Sequence, residues 1–69
     1  MKIHIENTRT LGVMPGSNPP ELAWHEFRAF DDGVEHHVND VLRASIPAEH
    51  FQEYFDAQDS VTGVVFTQE

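Results

Sequence analysis

Five histidines and twelve carboxylates are the side chains of this 69-residue chain that could do chemistry. His36 and His37 are adjacent, so on a strand their rings would point to opposite faces and could not easily share a metal ion. A hairpin that turns at Asp32-Gly33 would place His25 opposite Asp40, with His36 on the same face. His25, His36 and Asp40 are therefore candidate ligands of Zn²⁺ or a similar ion, with a fourth ligand from elsewhere.

The competing interpretation is that the histidines are partly buried or surface imidazoles, some of them paired with carboxylates. No HExxH or His-x₃-His pattern accompanies them. We predict no metal and no cofactor, and a histidine metal site remains an alternative. A histidine beside a carboxylate has a stabilised charged form, which would make it sensitive to pH.

Motifs of nucleophilic catalysis and phosphate binding do not occur in the sequence. There is no cysteine, and Ser17, Ser45 and Ser60 lack the GxSxG pattern of a nucleophile elbow. Gly12 and Gly16 are not followed by the Lys-Ser/Thr of a phosphate loop. We therefore expect a protein that is not an enzyme.

The strongest compositional feature is acidity: 12 Asp and Glu against 4 Lys and Arg give a formal net charge of −8. The four basic residues do not cluster, which argues against direct nucleic-acid binding. A small body this negative repels nucleic acids and anionic membranes and attracts basic protein surfaces. The alternative is that the charge serves solubility alone.

Carboxylates at helical spacing form a candidate partner-binding row at Glu49, Glu53 and Asp56. Such a row can occupy a basic groove by imitating nucleic-acid phosphates, because the groove's field steers it. The alternative is a solvated helix face. The full predicted binding set adds the acid that follows the row and those near the hairpin turn: Glu49, Glu53, Asp56, Asp59, Asp31, Asp32 and Glu35.

The elements that position these residues are predicted from periodicity. Residues 2–6 alternate, with Ile3 and Ile5 on one side, which predicts a short strand at an edge. Leu11 and Val13 form a possible second strand. A Pro/Gly-rich loop follows at 14–20.

Residues 22–46 admit two interpretations. A helix could be capped by Asn18, with Pro19 in its first turn. A hairpin around Asp32-Gly33 pairs Phe27 with Val38 and separates a mostly apolar face from a mostly polar one. The hairpin is preferred because, in this pairing, the apolar side chains of both strands lie mostly on the same face.

A helix is predicted over 47–57, with Phe51, Tyr54 and Phe55 on its apolar stripe and a break at Asp59-Ser60. Residues 61–67 are rich in β-branched residues and predict a closing strand. The expected fold is a single α+β domain over 1–69. It comprises a small antiparallel sheet, made of the N-terminal strand, the central hairpin and the C-terminal strand, with one helix packed on a face.

The expected localisation and oligomeric state rest on the length of the chain and on the features that its sequence lacks. No apolar run reaches the ~18 residues of a membrane span, and absent cysteine suits a reducing compartment. We expect a cytoplasmic protein (in a bacterium or, if phage-encoded, its host) with no membrane partner. It would be a monomer or a small homo-oligomer. Self-association through an exposed Trp24 or the edge of the first strand is the alternative function.

In overall character the chain resembles small inhibitor proteins of phages and mobile elements, including anti-CRISPR proteins. These are often compact, acidic and cysteine-poor, and some act as DNA mimics. The residues matched to a phosphate-like row are Glu49, Glu53 and Asp56. The resemblance implies an inhibitor that occupies the basic surface of a nucleic-acid-binding protein.

Overall fold

The computed structural model describes residues 2–58, 61 and 63–69. This part of the chain contains six strands and one short helix, which confirms the α+β class. In order they are β1 (Ile3–Ile5), β2 (Arg9–Val13), β3 (Leu22–Phe30), β4 (Gly33–Val38), β5 (Val41–Pro47), a 3₁₀ turn (Ala48–His50), α1 (Phe51–Asp56) and β6 (Phe66–Gln68).

The strands form two antiparallel sheets, where the sequence predicted one. Strands β2, β3, β4 and β5 make a four-stranded meander in that order, while β1 pairs with β6 in a separate two-stranded sheet. Ile3 lies opposite Gln68 and Ile5 opposite Phe66. The prediction of a single sheet was wrong because alternation shows which side of a strand is buried and does not show which strand lies beside it.

Residues 22–38 form the predicted hairpin and not the alternative helix, but the register differs by two residues. Phe30 pairs with Gly33, so the turn residues are Asp31 and Asp32, and Phe27 pairs with His36 in place of Val38. An even slip leaves every side chain on its predicted face. Gly33 belongs to β4, and only glycine fits there because a Cβ would collide with the carbonyl oxygen of Ile46 on β5.

A second turn, which the alternation pattern did not indicate, divides the second strand of the predicted hairpin into β4 and β5. Asn39 and Asp40 both adopt positive φ, 49° and 66°, a conformation that Asn and Asp tolerate better than most residues. The Asn39 side chain also accepts a hydrogen bond from the backbone N–H of Trp24 at 2.9 Å. His25 consequently pairs with Val38 and not with Asp40.

The predicted helix is confirmed, although its first turn is 3₁₀ and its α-helical part is only six residues long. Ala48 and Phe51 are buried. The Phe51 ring meets Phe27 of β3 edge-on at 5.9 Å between centroids and Phe66 of β6 at 4.8 Å. Phe51 therefore joins the two sheets through one hydrophobic core. The aliphatic residues buried in that core are Ile3, Val34, Ile46, Ala48 and Val61.

The terminal strands are shorter than the patterns predicted. Ile3 is buried and His4 exposed, as the alternation of 2–6 indicated. Among the described residues of the closing segment, strand pairing covers Phe66–Gln68, and Val61 is buried without belonging to a strand. The predicted break at Asp59-Ser60 lies outside the described residues. No helix in the described ranges has the length and apolar character needed to cross a membrane.

Truncation of Phe51 should destabilise the fold far more than the same change at Phe30. Phe51 is fully buried, whereas Phe30 is 50% exposed. We expect Phe51→Ala to cost about 3–5 kcal/mol, most of the stability of a domain of this size. Phe30→Ala should cost about 1 kcal/mol or less. Urea unfolding followed by circular dichroism measures both, and equal costs would contradict this description of the core.

Candidate protein-interaction site

The structure brings Asp31, Asp32 and Glu49 to one junction of the fold, and Glu53 and Asp56 lie further along the helix. The β3–β4 turn meets the start of the helical segment, where the backbone N–H of Ala48 donates to the carbonyl of Asp32 at 3.2 Å. Gly33 and Pro47 are paired at the same end. The exposed carboxylates at this junction and along the helical segment are together called the acidic surface. They are Asp31, Asp32, Glu49, Glu53 and Asp56.

The acidic surface is largely uncompensated. Three of the four basic residues lie within 4.0 Å of a carboxylate, namely Lys2 near Asp31 at 3.8 Å, Arg9 near Asp40 at 3.7 Å and Arg28 near Glu26 at 2.7 Å. Within the described ranges, no lysine or arginine lies within 4.0 Å of the other four members of the surface. The exterior at this end therefore presents negative charge to solvent.

Two predicted binding residues do not belong to the acidic surface. Glu35 lies on the opposite side of the four-stranded sheet, where its Oε1 accepts a hydrogen bond from Nε2 of His37 at 2.9 Å. Asp59 lies outside the described residues. The structure thus brings together only part of the predicted binding set. Successive side chains of β4 point to opposite faces, and Glu35 points to the face away from the helix.

The candidate metal ligands are only partly brought together. His25 and His36 are in contact, with Nδ1 and Nε2 at 2.8 Å. Asp40 lies instead in the β4–β5 turn beside Arg9. In the part of the chain that the structure describes, no three His, Cys, Asp or Glu side chains converge so that they could hold a metal ion.

His25 and His36 form a buried network that ties the sheet to the helix. Nε2 of His25 lies 2.9 Å from the carbonyl oxygen of Val13 and must donate to it. Nδ1 of His25 is then an acceptor, so Nε2 of His36 donates to it. Nδ1 of His36 accepts in turn from the hydroxyl of Tyr54 at 2.7 Å. This histidine network (Val13, His25, His36, Tyr54) satisfies every imidazole nitrogen with both rings neutral.

The surroundings of the histidine network favour its neutral form. His36 is fully buried, and its ring stacks on Phe27 at 4.4 Å. Burial, with smaller contributions from His25, Arg43 and His37, lowers the pKa of His36 to about 4. Burial also raises the pKa of Tyr54, against a smaller opposing effect of Arg43. No spacing in the sequence indicates Tyr54 as a partner of His36, since only the fold places it against β4.

We call the face of the four-stranded sheet that points away from α1 the outer face. It carries exposed apolar side chains. Leu11 and Trp24 lie directly opposite each other on β2 and β3. Leu42 on β5 lies opposite His37. Trp24 is 47% exposed and Leu42 54%, and the Arg9 guanidinium lies 5.2 Å from the centre of the Trp24 ring. Alternation in β3 placed Trp24 on this face, which was predicted to be mostly polar.

No protein-family model matches the chain, and neither a curated protein nor a solved structure matches it. A functional conclusion therefore rests on the geometry and charge of the chain itself.

The histidine network predicts a specific loss of stability in mild acid. The pKa of His36 is about 4 in the folded protein against 6.5 in the unfolded chain, so between these pH values only the unfolded chain binds the proton. The free energy of unfolding should be unaffected by His36 above pH 6.5 and should fall as pH is lowered towards 4. At about 1.4 kcal/mol per pKa unit, the loss approaches ~3 kcal/mol.

Urea unfolding at pH 7.5, 6, 5 and 4 checks this prediction. His36→Gln, whose amide can both donate and accept, should flatten the profile in this window. His50→Gln, which removes an exposed histidine, is the matched control and should leave the profile unchanged. An NMR titration in which His36 protonates near pH 6.5 in the folded protein would contradict the prediction.

Proposed function

We propose that this chain is a non-enzymatic binding module that docks through its acidic surface onto a basic surface of another protein. The observation that carries the proposal is a group of four exposed carboxylates that, among the described residues, have no lysine or arginine within 4.0 Å: Asp32, Glu49, Glu53 and Asp56. They belong to a chain whose net charge is −8. Electrostatic complementarity of this kind raises association rates and selects partners of opposite charge.

The proposed partner is a nucleic-acid-binding protein, and the proposed effect is inhibition. Basic surfaces that bind phosphates attract a row of carboxylates by the same field. Glu49 and Glu53 are held on a helical segment whose position is set by the buried Phe51. A rigid row loses little conformational freedom on binding, which favours competition with a nucleic acid. This mode of action is the one that the resemblance to phage-type inhibitors implies.

Self-association through the outer face is the second candidate function. The exposed pair of Leu11 and Trp24 favours it, because apolar side chains on an uncovered sheet face commonly mark interfaces. Repulsion between two copies of charge −8 opposes it. Sedimentation at micromolar concentration separates the two functions. A dimer that dissociates in Trp24→Ala would support self-association, whereas a monomer would count against it.

Reversal of charge on the acidic surface should abolish partner binding, while the same reversal elsewhere should not. Glu49→Lys/Glu53→Lys is compared with Glu6→Lys/Glu21→Lys, at two exposed positions outside the acidic surface. Each double variant changes the net charge from −8 to −4, since each replacement adds two charges. The experiment captures partners from bacterial lysate at low and high salt and identifies them by mass spectrometry.

The expected result is a nucleic-acid-binding protein that is retained by the wild type and by the control variant, released by salt and lost from the helix variant. The purified partner should then lose its nucleic acid when the wild-type chain is added. Partners that both variants retain equally, or a complex indifferent to salt, would refute the proposal.

A further inference from the structure

A groove opens on the outer face at the end nearest the acidic surface. Its volume is about 410 Å³, within the range of sites that hold one small ligand or side chain. It lies where the β3–β4 turn, β4 and the end of β5 meet. The lining residues that define its chemistry are Phe30, Asp32, Gly33, Glu35, Ser45 and Pro47.

Two apolar side chains flank the floor of the groove, and the floor itself is a glycine with no side chain. Phe30 on β3 pairs with Gly33 on β4, and Gly33 pairs with Pro47 on β5, so the glycine lies between a phenyl ring and a proline. No larger residue fits at position 33, since a Cβ would collide with the Ile46 carbonyl oxygen. Phe30 is 50% exposed, which leaves half of its surface available to a ligand.

Two carboxylates give the groove a negative charge. Asp32 has no basic side chain within 4.0 Å in the described ranges. Glu35 uses Oε1 to accept from His37, which fixes the carboxylate and leaves Oε2 for another donor. Arg28, opposite Glu35 in register, is committed to Glu26, to which both its Nε and its terminal nitrogen donate at 2.7 Å.

We propose that this groove binds an arginine side chain of the basic partner, an inference that rests on the proposed function. A guanidinium is planar and weakly hydrated, so it stacks on an aromatic ring and donates a fork of N–H groups to carboxylates. Phe30 supplies the ring, and Asp32 and Glu35 supply the acceptors. A lysine ammonium is compact and strongly hydrated, and cannot use the ring and both carboxylates in this way.

Hexa-arginine and hexa-lysine peptides test the proposal, because they carry equal charge and differ only in the cationic group. The chain should bind hexa-arginine about tenfold more tightly than hexa-lysine, as one charge-assisted hydrogen bond is worth about that factor. In NMR spectra the shifts specific to hexa-arginine should include the amides of Gly33, Glu35 and Ser45.

Phe30→Ala and Glu35→Gln should abolish the preference for arginine. The glutamine oxygen can still accept from His37, so the latter variant removes charge without releasing that histidine. Glu49→Gln is the matched control outside the groove and should retain the preference. Equal affinity for the two peptides, or a preference that survives Phe30→Ala in a folded variant, would overturn the inference.

These outcomes are separable from those of the proposed function. If the groove inference fails, charge reversal at Glu49 and Glu53 should still release the captured partner. If the proposed function fails, the Glu49→Lys/Glu53→Lys variant loses no salt-sensitive partner, whether or not the chain prefers hexa-arginine to hexa-lysine.

Discussion

The contact on which the rest of this structure depends is the attachment of a very short helix to the four-stranded sheet. Six α-helical residues do not form a stable helix alone, because nucleation is unfavourable and few hydrogen bonds follow it. The fold compensates with two kinds of contact. Phe51 packs between Phe27 and Phe66, and the Tyr54 hydroxyl donates to the buried His36. Stability and surface charge are thus linked, since this helix carries Glu53 and the 3₁₀ turn that leads into it carries Glu49.

The histidine network shows how a buried polar group can serve as an attachment point. An imidazole inside an apolar core is costly unless both nitrogens are paired. Here the Val13 carbonyl can only accept, so it sets the direction of donation through two neutral rings, and the Tyr54 hydroxyl adapts by donating at the other end. Both rings are neutral in that arrangement, so the network contributes specificity of packing without placing a charge in the core. His37, on the opposite face of β4, differs: its Nε2 donates to Glu35, whereas its buried Nδ1 has no hydrogen-bond partner among the described residues.

Charge is distributed unevenly over the two sides of the sheet. On the outer face, basic side chains are committed to intramolecular pairs, as Arg28 is to Glu26, or lie over an aromatic ring, as Arg9 does over Trp24. On the helix, Asp56 accepts a hydrogen bond from the neutral side chain of Gln52. The groove beside Phe30 lies where the apolar outer face meets the acidic surface. A partner that engaged both would need cationic groups and some apolar surface.

Within β3 and the helical segment, the sequence alone determined which side chains share a face. Alternation placed Ala23, His25 and Phe27 together on the buried side of β3, and helical spacing placed Phe51 inward and Glu49 and Glu53 outward, as the structure has them. These predictions succeeded because periods of two and 3.6 are local properties of a backbone.

Only the tertiary structure decided register, strand partners and the composition of the histidine network. A slip of two residues preserves alternation, so the pattern could not distinguish Phe27–Val38 from Phe27–His36. The choice depends on the close approach of Gly33 to the backbone of Ile46, and on the turn at Asn39-Asp40. Pairing of β1 with β6, and of His36 with Tyr54, likewise joins residues far apart in sequence. Such contacts form only when the elements pack, and no local spacing encodes them.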